Sequence, residues 1–297
     1  MYEAFFGLRQ PAFSLTADPR FLWLSESHRE GLAALCYGIA RRKGILLLTG
    51  DVGTGKTTLM RAALDRLPAD LLDVPEVAVV TNTAELTPID LLKYACAGFG
   101  IGGPVFPLRR PPESLADYVI ALTDFLTDRL RAGMTCVLIV DEAHNLSLSA
   151  LEQLRLLSNL EVDTWKLLQI ALIGQSELLP KIADPRLRQL RQRVAIEHHL
   201  EPLRATDVVA YLRHRVQRAG GRYEQIFAPG SERCFIEFSN GCPRLVNVLA
   251  DQVLLSAYSK QMRPVRPALI EMVAKQLTSH GQAKPPGVPQ KRRPAAA

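Results

Sequence analysis

Residues 50–60 read GDVGTGKTTLM, and this short stretch decides the fold of the chain. Its first eight residues match the pattern G-x-x-x-x-G-K-[ST] at every fixed position. An apolar run, GILLLTG at 44–50, predicts a buried strand before the loop, and 57–67 predicts a helix after it. A strand, a glycine-rich loop and a helix in this order are typical of a site that binds phosphate through backbone N–H groups.

The residue types in this loop each have a physical reason. Its three glycines permit positive φ and let the main chain wrap around a phosphate. Lys56 is expected to reach the β- and γ-phosphates, and the Thr57 hydroxyl to ligate Mg²⁺. The predicted nucleotide contacts of the loop are Gly50, Asp51, Val52, Gly53, Thr54, Gly55, Lys56, Thr57 and Thr58.

A second motif, VLIVDEAH at 137–144, places two acids at the end of a buried strand. Ligands of open α/β sheets bind at the carboxyl ends of the strands. We expect Asp141 to hold Mg²⁺, directly or through water, and Glu142 to polarise the attacking water. The alternative for two acids after a strand is a solvated loop entry, but an acid beside the metal-binding Asp indicates hydrolysis.

Gln175 follows the predicted strand at 167–174. Its amide could contact the γ-phosphate and the attacking water, or it could cap a loop, and the residues alone leave both interpretations open.

Four arginines precede the last predicted strand, VAIEHHL at 194–200, namely Arg186, Arg188, Arg191 and Arg193. Such a cluster can insert a guanidinium among a neighbouring subunit's phosphates, and Arg193 is our choice because it directly precedes the strand. A solvated basic helix end remains the alternative, and which of the four would act stays open.

Strands and helices alternate over the first two thirds of the chain. Strands are predicted at 44–50, 77–82, 136–140, 167–174 and 194–200, and helices at 26–43, 57–67, 90–100 and 113–132. This pattern predicts an α/β fold with a parallel five-stranded sheet covered on both faces. After residue 203 the pattern is helical, which predicts a small all-helical domain over 203–279, and 280–297 has the composition of a disordered basic, Pro-rich tail.

Composition limits the remaining possibilities. The formal net charge is +6, and residues 201–297 hold 15 Lys/Arg against 7 Asp/Glu. That basic excess could face nucleic acid, an acidic partner or anionic lipid, or be ordinary solvated arginine. The five cysteines are unclustered, which favours reduced thiols, and no apolar run reaches the roughly 18–20 residues of a membrane helix. With no signal peptide visible, we expect a cytoplasmic protein.

Taken in order, these motifs resemble those of the AAA+ ATPases, a class of P-loop NTPases. The stretches FFGLRQPAFSLTADPRFLWLSESH, LLQIALIGQSEL, LRQLRQRVAIEHHLEPL and GCPRLVNVLADQVLLSAY narrow the match. They are similar to the ExeA/GspA (general secretion pathway protein A) family over roughly residues 1–278.

The resemblance implies roles for individual residues. The loop becomes Walker A, Asp141 and Glu142 become Walker B, Gln175 sensor 1, Arg193 the arginine finger and Arg244 sensor 2. It implies ATP and Mg²⁺ as cofactors, a nucleotide-binding domain over 1–202 whose segment 1–43 lies near the adenine, and a helical lid over 203–279.

Three functions remain open at this point. The first is an ATPase that forms a homo-oligomeric ring or filament and remodels or assembles a partner in secretion or envelope biogenesis, with peripheral attachment to the inner membrane through partners. The second, from a resemblance to transposition helpers of the TniB/TnsC kind, is a DNA-binding ATP switch that recruits a transposase. The third is a nucleotide-binding scaffold without hydrolysis, which Glu142 and Arg193 argue against. The family's full-length members continue into a membrane helix and a peptidoglycan-binding domain, whereas this sequence stops at a basic tail.

Overall fold

The computed structural model of the protein describes residues 1–16, 18–67, 75–81, 83–108 and 110–279. The chain divides into two compact units. The sheet unit consists of Glu26–Gly50 and Lys56–Leu200. The helical unit consists of Met1–Ser25, Asp51–Gly55 and the described residues from Glu201 onward.

The sheet unit is built on five parallel strands, as the sequence predicts. The five are β1 (Ile45–Gly50), β2 (Glu76–Val80), β3 (Cys136–Val140), β6 (Leu168–Ile173) and β7 (Val194–Leu200). Two further short strands, β4 (Glu161–Val162) and β5 (Trp165–Lys166), lie outside this sheet. The order across the main sheet is β2-β3-β6-β1-β7, and each neighbouring pair is parallel. Every residue of β1, β3 and β6 is buried, as expected for central strands with near-continuous apolar sequences.

Helices cover this sheet and begin where the sequence supplies capping residues. They are α2 (Glu26–Ala40), α3 (Lys56–Arg66), α4 (Pro88–Gly98), α5 (Leu115–Arg131), α6 (Leu148–Leu157), α7 (Leu178–Ile182) and α8 (Arg188–Arg193). Thr87 and Ser114 each accept a hydrogen bond from the main chain three residues later, which forms capping boxes at the starts of α4 and α5. The helix predicted at 90–100 therefore begins two residues earlier than its apolar pattern indicates.

A short antiparallel hairpin, β4–β5, lies between α6 and β6. None of the five strands predicted from the sequence falls in this stretch, because the hairpin has only two residues in each strand, too few for a period-two pattern to be recognised. Trp165 is half-exposed, and the Arg42 guanidinium stacks 5.6 Å from its ring centroid.

The helical unit has its own hydrophobic core. Its helices are α1 (Glu3–Phe6), α9 (Ala205–Arg218), α10 (Tyr223–Ile226), α11 (Ser231–Ser239), α12 (Pro243–Ser259) and α13 (Pro267–Ser279). The predicted helical character of the C-terminal region is thus confirmed. The first residues of the chain belong to this core, since Phe6, Phe13 and Phe21 are buried in it.

The buried Arg215 of α9 ties this N-terminal segment down. Its Nε donates to the Ala12 carbonyl at 2.6 Å, and its Nη2 donates to the Ser14 carbonyl at 3.2 Å. The segment 1–43, assigned as one piece from the sequence, is thus divided between the two units at Ser25. The functional division into nucleotide-binding domain and lid stays a prediction, and the tail at 280–297 lies outside the described residues.

Within the described ranges, the structure contains no helix that is both long enough and apolar enough to cross a bilayer.

Gly241, two residues before α12, gives the stability prediction with the largest expected contrast between variants. Its φ is +78°, and an added Cβ would lie 2.1 Å from the Leu203 carbonyl oxygen, which is main chain and cannot swing away. Gly230 has a similar φ of +85°, but its Cβ would meet nothing closer than 3.8 Å. Both alanine variants should lose about 1–2 kcal/mol to left-handed strain. We expect Gly241→Ala to lose about 2–3 kcal/mol more in urea unfolding, because the clash adds overpacking strain. Equal losses in the two variants would contradict the tight approach to Leu203.

Candidate functional site

The predicted site residues of the sheet unit lie at one edge of the sheet. The register pairs Val80 with Val140, Val140 with Leu172, and Leu48 with Ile173, so β1, β2, β3 and β6 end at the same level. The loops that follow these strands carry the glycine-rich segment, the acid pair and Gln175. The topology therefore brings together side chains that are more than 100 residues apart in sequence.

The glycine-rich loop has the backbone that its sequence predicts. Gly50, Gly53 and Gly55 all have positive φ, at 152°, 81° and 101°. Lys56 begins α3 with its side chain buried, and its ammonium donates to the Gly50 carbonyl at 2.8 Å. Burying an ammonium group costs free energy unless oxygen atoms surround it. An anionic ligand beside Lys56 would therefore stabilise this buried charge further. The neighbouring Thr58 lies in the first turn of α3.

Thr57 and Asp141 form the best candidate for the metal position. The Thr57 hydroxyl donates to Asp141 Oδ2 at 2.8 Å, and Asp141 Oδ1 accepts the Glu142 N–H at 2.9 Å. A hydroxyl and a buried carboxylate are the hard oxygen ligands that Mg²⁺ prefers, together with water and phosphate oxygens. With Lys56 directly before Thr57 in sequence, the side chains present fit a magnesium–nucleotide ligand.

Glu142 has an unusual backbone. Its φ and ψ are 54° and 36°, the left-handed region that costs a non-glycine residue about 1–2 kcal/mol. The Thr83 hydroxyl, which follows β2, donates to the Glu142 carbonyl at 2.8 Å and so supports this conformation. Because the chain turns sharply here, the Glu142 side chain is 47% exposed while Asp141 is buried. Strained backbone held by a specific contact is typical of functional positions.

Gln175 lies beside Glu142. Its side-chain amide donates to Glu142 Oε2 at 3.4 Å, a long contact that nonetheless places the two predicted catalytic side chains together. His144 joins them, because its Nδ1 is 3.4 Å from the same carboxylate oxygen and accepts the Gln175 main-chain N–H at 3.3 Å. The Lys181 ammonium donates to the His144 and Leu146 carbonyls and holds this loop against α7.

Sequence reasoning missed three of these residues. His144 is the last residue of the VLIVDEAH motif, and its contact with Gln175 in the loop after β6 cannot be read from the motif itself. Thr83 could have been found, since it is a polar residue just after a strand, the same signal that identified Asp141 and Gln175. Lys181 donates to main-chain oxygens, which leave no mark in the sequence.

The tip of the glycine-rich loop, Asp51–Gly55, groups with the helical unit. The Arg244 N–H, in the first turn of α12, donates to the Gly53 carbonyl at 3.3 Å. A Cβ at Gly53 would lie 2.6 Å from the Arg244 Cβ, so a glycine at this position is required by close approach. Burial raises the pKa of the Cys242 thiol, which therefore stays protonated and donates to the Val52 carbonyl at 3.4 Å.

Arg193 lies at the opposite edge of the sheet from the acid pair. Val194 pairs with Ile45 at the start of β1, whereas Leu200 pairs with Gly50 at its end. Seven strand residues at about 3.3 Å each separate the two edges by roughly 20 Å. An arginine side chain cannot span that distance, so Arg193 does not join the Lys56–Asp141 cluster of its own chain.

The four arginines of this segment differ in their exposure and in their hydrogen-bond partners. Arg186 forms a bidentate pair with Asp184, at 2.7 and 3.0 Å, and this pairing lowers the pKa of the Asp184 carboxyl to about 2. Arg188 and Arg191 are exposed on α8, and Arg193 is partly buried at its end. The structure thus leaves Arg193 closest to the strand and commits Arg186 to a local partner.

Comparisons of sequence identify relatives. Residues 39–182 match the model of a family described as an AAA domain. The chain is 43% identical over 260 residues to General secretion pathway protein A of Aeromonas hydrophila, an alignment that covers 88% of this chain. The chain spans 45% of that relative's length.

Comparisons of structure identify the fold alone, since sequence identity is low. The ORC2 protein of Aeropyrum pernix superposes with a TM-score of 0.68 at 15% identity, covering 90% of this chain and 71% of the other. Cdc6p of Pyrobaculum aerophilum gives 0.70 at 16%, covering 89% and 70%. The RuvB Holliday junction branch migration motor of Thermotoga maritima gives 0.54 at 17%, covering 86% and 70%.

Proposed function

Since the chain belongs to the General secretion pathway protein A family of AAA+ ATPases, we propose that it binds Mg²⁺·ATP and hydrolyses it to ADP and phosphate. The observation that carries this proposal is the cluster of Lys56, Thr57, Asp141 and Glu142 at one edge of the sheet. Each side chain has the chemistry that one part of the reaction needs, and hydrogen bonds hold Lys56, Thr57 and Asp141 in place.

Different residues of the chain are proposed to bind the phosphates, hold Mg²⁺ and orient the water. Backbone N–H groups of the Gly50–Thr58 loop and the Lys56 ammonium would bind and orient the phosphates. Thr57 and Asp141 would hold Mg²⁺, which supplies positive charge against the negative charge of the phosphates when bound. Glu142 would accept a hydrogen bond from the water and direct it, and Gln175 would orient the same water through its amide. Arg244 is proposed as a further nucleotide contact.

We also propose that the active form is a homo-oligomer in which Arg193 reaches the nucleotide of a neighbouring copy. The position of Arg193 supports this, because it lies roughly 20 Å from the acid pair of its own chain by the length of β7. A guanidinium that contributes to hydrolysis from there must act in another subunit. Such an arrangement makes turnover depend on assembly.

The work that hydrolysis drives is proposed to be the remodelling or assembly of a partner in secretion or envelope biogenesis. The relatedness to a protein named for general secretion supports this pathway. Attachment to the inner membrane through such a partner, rather than through a segment of the described residues, is part of the same proposal. DNA binding and transposase recruitment stay a prediction. Their test is whether DNA retains the protein at low salt and releases it steeply as the salt concentration rises.

The experiment for the proposed function compares wild type with Lys56→Ala. We expect Lys56→Ala to bind Mg²⁺·ATP about 10- to 100-fold more weakly in a calorimeter, because charge-assisted hydrogen bonds are lost. Phosphate release should fall with it. Lys93→Ala, which removes an equal charge from the surface of α4, is the matched control and should match wild type. Wild-type protein that neither binds ATP nor releases phosphate would refute the proposal.

A further inference from the structure

His144 occupies a position that the reaction assigned above does not use. Its imidazole is largely buried, with 13% of the side chain exposed, and it lies between the two loops that carry the predicted catalytic side chains. Nδ1 accepts the Gln175 main-chain N–H at 3.3 Å and is also 3.4 Å from Glu142 Oε2. One ring nitrogen thus faces a donor and an acceptor at the same time.

A single nitrogen cannot satisfy both neighbours. To accept from the Gln175 N–H, Nδ1 must carry a lone pair, which places the proton of the neutral ring on Nε2. In that state Nδ1 and the Glu142 carboxylate are two acceptors facing each other, so the carboxylate gains nothing from the imidazole. In the imidazolium form Nδ1 becomes a donor, which favours Glu142 and leaves the Gln175 N–H without its acceptor.

We propose that His144 is a positioning residue of the hydrolytic site. Its neutral ring holds the Gln175 main chain and forms no ion pair with Glu142, whose carboxylate then contacts the Gln175 side-chain amide. The protonated ring ties Glu142 in an ion pair and releases the Gln175 segment. This proposal rests on the proposed function, because an ion pair at Glu142 affects the reaction only if the Glu142 carboxylate directs the attacking water. It needs no movement of strands, since the donors and acceptors are already within 3.3–3.4 Å of one atom.

The surroundings of the ring make its two states depend on Glu142 and Gln175. Glu142 is the carboxylate that faces it, and Lys181 of α7 places its ammonium on the His144 main-chain carbonyl. A further charged residue, Glu177, precedes α7 at the end opposite to Lys181. Strand β6, which also packs here, has no titratable side chain in its sequence LQIALI. The two main chains pack tightly here, since a Cβ added at Gly174 would lie 3.3 Å from the main-chain nitrogen of His144.

The first test needs no nucleotide. Imidazole ¹⁵N shifts of the free wild-type protein at pH 8 should show Nδ1 unprotonated and Nε2–H. Hydrogen exchange of the Gln175 amide at pH 5.5 should be about tenfold less protected in wild type than in His144→Asn, whose side-chain oxygen still accepts near the Nδ1 position. A dominant Nδ1–H form at pH 8, or equal protection in the two proteins, would overturn the proposal.

The second test separates positioning from simple structural support. His144→Ala should lower kcat about 10- to 30-fold with ATP affinity within about twofold of wild type, because Gln175 is released but no nucleotide contact is lost. His144→Asn should recover kcat to within about threefold. The drop in wild-type kcat from pH 8 to pH 5.5 should exceed that of His144→Asn by about tenfold. His199→Asn, the same change at an exposed histidine of β7, should keep the wild-type profile.

The possible outcomes are distinguishable. If the wild type hydrolyses ATP and His144→Asn shows the same drop in kcat from pH 8 to pH 5.5, the role of His144 is refuted and the proposed function is not. A wild type without ATPase activity would remove both, since nothing would remain to be positioned. If His144→Ala proves unfolded by circular dichroism, the comparison of wild type with His144→Asn still decides.

Discussion

Replacing Glu142 by Gln should abolish ATP turnover while leaving ATP binding intact. The amide has nearly the same shape as the carboxylate but cannot serve as a base toward water. Positioned bases contribute typically 10²–10⁴-fold, and we expect a loss of kcat in that range. The affinity for Mg²⁺·ATP should stay within about threefold, because the side chain is half-exposed and Lys56, Thr57 and Asp141 remain in place.

The measurement is single-turnover phosphate release beside calorimetric binding. Glu30→Gln, which removes one carboxylate from the exposed face of α2, is the matched control and should hydrolyse ATP like wild type. Normal turnover by Glu142→Gln would show that another group activates the water. Loss of binding together with turnover would instead indicate that Glu142 acts through the structure of the loop.

Arg193→Ala should produce a protein that binds ATP and fails to hydrolyse it, with a loss of about 10³–10⁵ in rate. The reason is geometric, since Arg193 is too far from its own acid pair to contribute there and would stabilise charge in a neighbour's site. Arg186→Ala is the matched control from the same segment, because that guanidinium is committed to Asp184. Should Arg186→Ala lose activity and Arg193→Ala keep it, the choice among the four arginines is wrong.

Mixing two inactive variants tests the intersubunit site directly. Arg193→Ala subunits keep an intact nucleotide site, and Lys56→Ala subunits keep an intact Arg193. In an equimolar mixture with random head-to-tail assembly, about a quarter of interfaces join an intact site to an intact arginine. We expect a corresponding fraction of wild-type activity to return. No recovery, with assembly verified by sedimentation, would argue against an arginine supplied in trans.

Local pattern was sufficient for most of the fold. The apolar runs at β1, β3 and β6 predict buried parallel strands because both faces of those strands are covered, and the structure agrees within a residue or two. The β4–β5 hairpin was missed because two-residue strands are held by their turn and by contacts such as that of Trp165 with Arg42. Such contacts leave no periodicity in the sequence.

The candidate site was predictable where its chemistry is carried by a contiguous motif. Lys56 and Thr57 follow from the glycine-rich pattern, and Asp141 and Glu142 from acids at the end of a strand. The arrangement around Glu142 was not predictable, since it depends on hydrogen bonds made by Thr83, His144 and Lys181, which come from two loops and from α7. Sequence spacing alone does not reveal which main-chain groups those side chains reach.

The left-handed backbone at Glu142 sets stability against activity at one residue. Asparagine and glycine occupy this conformation more comfortably, so either would relax the chain and remove the carboxylate in the same step. A glutamate at this position therefore lowers the free energy of unfolding relative to asparagine or glycine. Under the proposed function, homologues that do not need hydrolysis would gain folding stability by replacing this glutamate. The residue at this position is then expected to indicate whether a given homologue hydrolyses nucleotide.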